Sequence, residues 1–251
     1  MTERDITLIV VDELYGFIEG GKLPVKGGKY AVAKTVEFIF KYGDRIKRIF
    51  LPADCHPMYH GSFKESEPYG IRIEGKPEES NQFPRHCVAY THDAAIVEEL
   101  MEAVREWNEK YQETGKGMRK PMYRTIPKGK ELNREDYSAF KFVDVLYDKD
   151  NKTPDEFVFA TPDGFNISNL DSVRGKRGFY EETVNRDKFV RIPIDSNVVV
   201  CGIAGDICVL NTLKSIKVTK PSVFVEGCAS LDDGTTLRNY MKEHGLNEVT
   251  L

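Results

Sequence analysis

With 251 residues, 40% of them hydrophobic and 30% charged, the chain is long enough to bury the core of one large α/β domain. A formal net charge of -4 offers no basic field for a nucleic-acid backbone or an anionic membrane surface, so neither is expected as a partner. Five cysteines without paired spacing argue against a disulfide framework and for free thiols in a reducing compartment, which makes the cytoplasm the expected setting. The opening MTERDITLIVVDE lacks the pattern of a secretory signal, and no run approaches the length of a membrane span.

In chain order, ITLIVV (6–11) is β-branched without alternation, as a strand covered on both faces should be. A helix over 29–42 ends at Gly43, and RIFLPA (48–53) reads as the second strand. After a long loop, Ile96, Val97, Leu100, Met101, Val104 and Trp107 recur at helical spacing, with Asp93 as the N-cap. MYRTIP (122–127) supplies a third strand. Residues 141–190 interrupt the alternation with a hairpin-like stretch and then a charged, partly helical one, read as a surface decoration, lid or oligomer arm. NVVVCG (197–202), a helix over 206–217, SVFVEG (222–227) and a helix over 235–244 closed by Gly245 complete the series. This order predicts an α/β fold: an open, mainly parallel sheet with helices on both faces, in three layers, as a single domain over 1–251 with an insertion at about 141–190.

In such a sheet the functional crevice lies beyond the carboxyl ends of the strands. Asp12, Asp54, His56, Lys128 and Cys208 all fall at that edge. Within ADCHPMYHGSF (53–63), Asp54, His56 and His60 cluster in a chain with only five histidines, and His86 follows in FPRHC. Neutral imidazoles with a carboxylate suit zinc, iron or manganese, while a polar loop with capping histidines would look the same. In CGIAGDICV (201–209), Cys208 lands in the first turn of a helix, where free N–H groups and the macrodipole should lower its pKa; the competing reading is a small buried hydrophobe. Asp12 would act as its base or else cap a turn before EGG, and Lys128 would hold both charges or else be a solvated surface lysine. Cys55, Cys87, Cys201 and Cys228 fit structural roles, and His92 and His244 fit the surface.

Taken together, VVDELYGFIEGGKLPVKGG (10–28), DCHPMYHGSF with FPRHCV, PKGKELNREDYSAF (127–140) and CGIAGDICV resemble the cysteine hydrolase superfamily of isochorismatases and nicotinamidases. The resemblance implies a triad of Asp12, Lys128 and Cys208, with an oxyanion hole from the backbone N–H groups of Ala204 and Cys208 beside a cis Ile203–Ala204 peptide. It further implies one divalent ion, zinc before iron or manganese, held by Asp54, His56 and His86, with His60 as a fourth ligand or a neighbour. Phe17 and Phe83 would wall a flat ring. The activity implied is hydrolysis of nicotinamide to nicotinate and ammonia in NAD salvage, by a homo-oligomer acting on a small amide. The alternatives are a hydrolase of another small amide, an isochorismatase-like hydrolase, or a catalytically silent binding or regulatory protein. The chain departs from the family at Leu14 and Gly16, where Gln and Asp are frequent, at Cys55 and Phe83 (Trp), and at Gly205 (Thr).

Overall fold

Strand β1 (Ile6–Val11) is buried along its whole length because it lies at the centre of the sheet, with β2 (Ile46–Asp54) on one side and β7 (Asn197–Ile203) on the other. The computed structural model describes residues 5–111, 122–139, 141–142, 156–160, 189–193, 197–216 and 219–251. Within these, six parallel strands run in the order β3-β2-β1-β7-β8-β9, with β3 at Tyr123–Lys128, β8 at Ser222–Ala229 and β9 at Asn247–Val249. The short β9 has no counterpart among the strands predicted from sequence. Strand β1 meets two cores: Leu8 and Val10 face one way, Ile9 and Val11 the other, as side-chain alternation requires.

Helices cover both faces. Helix α1 (Gly28–Tyr42) turns Ala31, Val32, Thr35, Phe38 and Ile39 inward, a stripe at helical spacing. Its first N–H groups are satisfied at a distance, since the Glu19 carboxylate accepts from Gly27 and Lys29, both at 2.9 Å. Helix α2 (Glu98–Tyr111) packs on the same face through Leu100, Val104 and Trp107, and the Trp107 indole N–H donates to the Gly43 carbonyl at 2.9 Å. On the opposite face lie α3 (Leu210–Ser215) and α4 (Thr235–His244), the latter closed by Gly245 in the left-handed region. Asp93 does not cap α2; it sits in a separate 3-10 turn, His92–Ala94. The helix expected over 206–217 is instead a π-type turn at Gly205–Val209 running into the six-residue α3. Among the described residues no helix is long and apolar enough to cross a membrane.

The interruption carries a second, antiparallel sheet in the order β4-β5-β6, from Lys141–Phe142, Glu156–Ala160 and Phe189–Pro193. This accords with the hairpin-like reading of its first part. The charged segment expected to be partly helical lies almost wholly outside the described residues.

Two features of the core yield expected outcomes. Gly202 pairs with Val11 at φ 126, and a Cβ there would stand 2.0 Å from the Val11 carbonyl oxygen. Gly202→Ala should therefore cost roughly 2–4 kcal/mol, read by denaturant unfolding. Glu13 is fully buried, and burial pushes its carboxyl to about 8 against the Thr35 hydroxyl bond at 2.5 Å. A folded-state value above the unfolded one means that stability from this group is complete below about pH 4.5 and is lost as pH rises to about 8. Glu13→Gln should flatten that slope of up to ~1.4 kcal/mol per pH unit, measured by urea midpoints across this range.

Candidate active site

Each proposed catalytic side chain comes from the end of a strand or the turn after it. Asp54 and Lys128 are the last residues of β2 and β3 and are paired in register. Asp12 follows β1 directly, in a left-handed conformation at φ 53 with its N–H donated to the Pro52 carbonyl. Cys208 lies in the π-type turn after β7. Parallel pairing thus brings together four side chains that are up to 196 positions apart in the chain.

The Lys128 ammonium is the hub. It stands 2.6 Å from Asp54 Oδ1, 2.8 Å from Asp12 Oδ2 and 3.5 Å from Cys208 Sγ, with no exposed surface of its own. Asp12 Oδ1 accepts the Asp54 backbone N–H at 2.8 Å. Burial pushes the Asp12 carboxyl up, the nearby Asp54 charge adds to that, and Lys128 only partly opposes it, leaving a value of about 7. Burial also raises Asp54, but Lys128 and the flanking histidines overcome it and hold that carboxylate well below its usual range. The Cys208 thiol is held well above its usual value, contrary to the lowering expected from a helix start. Its full burial, with the two carboxylates, outweighs Lys128, and the turn that carries it opens a helix of only six residues.

Above this floor is a pocket of about 430 Å³, its open mouth included. Phe17, Phe83, Tyr137 and Ile207 line it, together with Cys208, Ala204, Asp54, His56 and His86. The Ile203–Ala204 peptide is cis, as the resemblance implied, and Ala204 is extended. Rings of Phe17 and Phe83 stand 5.4 and 5.9 Å from that of His86.

Ligand atoms of Asp54, His56 and His86 lie within 4.8 Å of one another. His56 Nδ1 is 2.9 Å from the Gly129 carbonyl and His86 Nδ1 is 2.8 Å from the Pro84 carbonyl. A carbonyl cannot donate, so each Nδ1 carries a proton. Burial and the neighbouring His56 charge hold His86 down at about 4, which leaves its Nε2 a lone pair. Burial also opposes charge on His56, but the Asp54 carboxylate outweighs it and raises that imidazole to about 9, so His56 sheds its Nε2 proton when it ligates an ion. His56 Nε2 is buried without a hydrogen-bond partner, 3.5 Å from Asp54 Oδ2. This donor set fits a divalent ion of the zinc type. His60 is placed differently: its Nδ1 meets Ser62 Oγ at 2.7 Å and its Nε2 the Arg134 carbonyl at 3.0 Å, so both nitrogens are engaged. It groups instead with His56 and Glu135.

Glu135 is the acidic pocket residue that sequence reasoning missed, along with Tyr137, Ile207 and the aliphatic lining. The Glu135 side chain is 4% exposed, burial raises its carboxyl, and it lines the pocket beside His56. In ELNREDY it is one acidic residue among several, and no spacing singles it out. Gly129 is a further support, since at φ 65 a Cβ on it would fall 2.5 Å from the His56 ring. Gly129→Ala should displace His56 and weaken zinc binding by about tenfold or more, measured by competition with a chelating dye.

No protein-family model and no curated protein matches the sequence. Solved structures do match. The pyrazinamidase of Pyrococcus horikoshii in complex with zinc is 22% identical, with a TM-score of 0.58 over 98% of this chain and 99% of that one. The yeast nicotinamidase bound to the inhibitor nicotinaldehyde is 21% identical, with a TM-score of 0.61 over 98% and 99%. The N-carbamoylsarcosine amidase of Thermoplasma acidophilum is 15% identical, with a TM-score of 0.51 over 98% and 96%. The chain thus shares the isochorismatase-like α/β fold of these proteins.

Proposed function

We propose that this chain is a metal-assisted cysteine amidase that hydrolyses nicotinamide to nicotinate and ammonia. The observation that carries this reading is the convergence of a thiol, a buried lysine and a carboxylate at the floor of a pocket lined by aromatic rings and by the imidazoles of His56 and His86. Because Cys208 rests as a thiol, its proton leaves during attack. Asp12, with a value of about 7, is matched to take it at neutral pH. Cys208 Sγ then bonds to the carboxamide carbon, and the backbone N–H groups of Ala204 and Cys208 hold the oxyanion. Asp12 returns the proton to the departing ammonia, then takes one from the water that cleaves the thioester, freeing nicotinate and the thiol. Lys128 keeps the carboxylates charge-paired throughout. Asp54, His56 and His86 would hold a divalent ion, whose chemistry there is to bind and orient the pyridine nitrogen.

The pocket's charge favours a neutral substrate. Among the described residues no Lys or Arg lines it, and Lys128 beneath is already shared by two carboxylates, so away from the metal position a carboxylated substrate would meet no lysine or arginine of the pocket lining. The deciding experiment is incubation of the zinc-loaded protein with nicotinamide, with ammonia and nicotinate measured together. Equal amounts of both are expected. Turnover of other small amides without nicotinamide would move the reading to a different amidase, and no ammonia from any amide would leave a silent binding protein.

A further inference from the structure

Asp93 does not line the pocket, yet its hydrogen bonds reach two segments that do. Its Oδ2 accepts the Cys87 N–H at 2.7 Å, its Oδ1 accepts the Lys22 N–H at 3.2 Å, and its backbone carbonyl accepts the Gly16 N–H at 2.8 Å. Cys87 directly follows His86 and is left-handed at φ 45, a conformation uncommon for a side chain with a Cβ. Its carbonyl accepts the His56 N–H at 2.9 Å, and the His56 carbonyl accepts the Ala89 N–H at 2.8 Å. The backbones carrying the two imidazoles are therefore paired, and Asp93 holds the strained residue in that pair.

Gly16 makes the arrangement fit. A Cβ there would stand 2.9 Å from Asp93 Oδ2 and 2.7 Å from Cys87 Sγ, so the bare backbone is what admits the carboxylate. Gly16 also directly precedes Phe17, whose ring lies 5.4 Å from that of His86. One carboxylate thus ties the backbone next to His86 to the backbone next to an aromatic wall.

We propose that Asp93 is a positioning residue that fixes His86 for divalent-ion binding, acting through the Cys87 N–H. The inference rests on the reading that Asp54, His56 and His86 hold the ion. Outer groups that orient ligands in this way change metal affinity by about 10–100-fold when removed. A purely structural Asp93 would lower stability and leave affinity alone.

The test measures zinc affinity of the purified proteins by competition with a chelating dye, alongside thermal melting. Asp93→Ala should weaken zinc binding by about 10–100-fold. Asp93→Asn keeps an oxygen acceptor for only one of the two N–H groups, so it should fall between wild type and Asp93→Ala, and it decides the matter if Asp93→Ala does not fold. Leu100→Ala, a core truncation in α2, should melt lower but bind zinc like wild type. Unchanged affinity in the folded Asp93 variants, with wild type binding zinc, overturns this inference alone. A wild type that binds no zinc overturns the metal reading and this inference with it.

Discussion

Cys208→Ala should leave a folded protein whose ammonia release from nicotinamide falls by at least ~10⁴-fold. The fold should survive because the change removes a single buried sulfur, while Lys128 keeps its contacts of 2.6 and 2.8 Å to Asp54 and Asp12. Activity should not survive, because neither water nor an imidazole replaces the sulfur as a nucleophile held against the carboxamide carbon. Cys208→Ser is the sharper control, since it restores an atom of nearly the same size. Its hydroxyl is far less acidic than a thiol, and in a site that already raises the thiol's pKa it should stay protonated, so turnover should remain near that of the alanine variant. Zinc affinity should be unchanged in both, because Cys208 is outside the Asp54, His56 and His86 set. Alanine-variant turnover within tenfold of wild type would remove Cys208 from the mechanism.

Much of this arrangement is legible in the sequence for a simple reason. A parallel sheet puts every strand's carboxyl end on one edge, so residues that close a strand are brought together whatever their separation. Asp12 after ITLIVV, Asp54 after the second strand, Lys128 at the end of the third and Cys208 after NVVVCG follow from strand order alone. His56 and His86 stand out in the sequence as a metal site or a polar loop, the resemblance selects the metal set and adds the aromatic wall at Phe17, and the structure places these side chains around one pocket. What sequence could not show depends on packing in three dimensions. Glu135 becomes a pocket residue only because its loop folds against Ser62 and His56. Asp93 looks like a helix cap, but the space left by Gly16 draws its carboxylate toward Cys87. The raised thiol of Cys208 departs from expectation because a helix start is visible in a sequence, whereas complete burial beside two carboxylates is not.

Lys128→Met tests the electrostatic centre and should affect stability as well as activity. The lysine is wholly buried between two carboxylates, and removing one partner from such a group typically costs about 3–5 kcal/mol, because the remaining charges stay buried and unpaired. Methionine nearly matches the lysine stem, so the loss should reflect charge more than a cavity. The pH dependence separates these causes. In the wild type, Asp54 is held below its unfolded value, so its stabilising contribution is present above the unfolded carboxylate range and is lost as pH falls through the folded value. Lys128 is raised well above its usual value, so its contribution is full below the unfolded lysine value and is lost only as pH climbs through the folded one. Both contributions are therefore present together at neutral pH. Without Lys128, Asp12 and Asp54 repel each other and both are driven upward, so the variant should gain stability relative to wild type as acid protonates them. Urea midpoints at pH 7 and pH 5 should show a deficit that shrinks at the lower pH. A deficit constant with pH would mean that Lys128 acts by filling space, and its role in holding Asp12 ready for proton transfer would fall with that result.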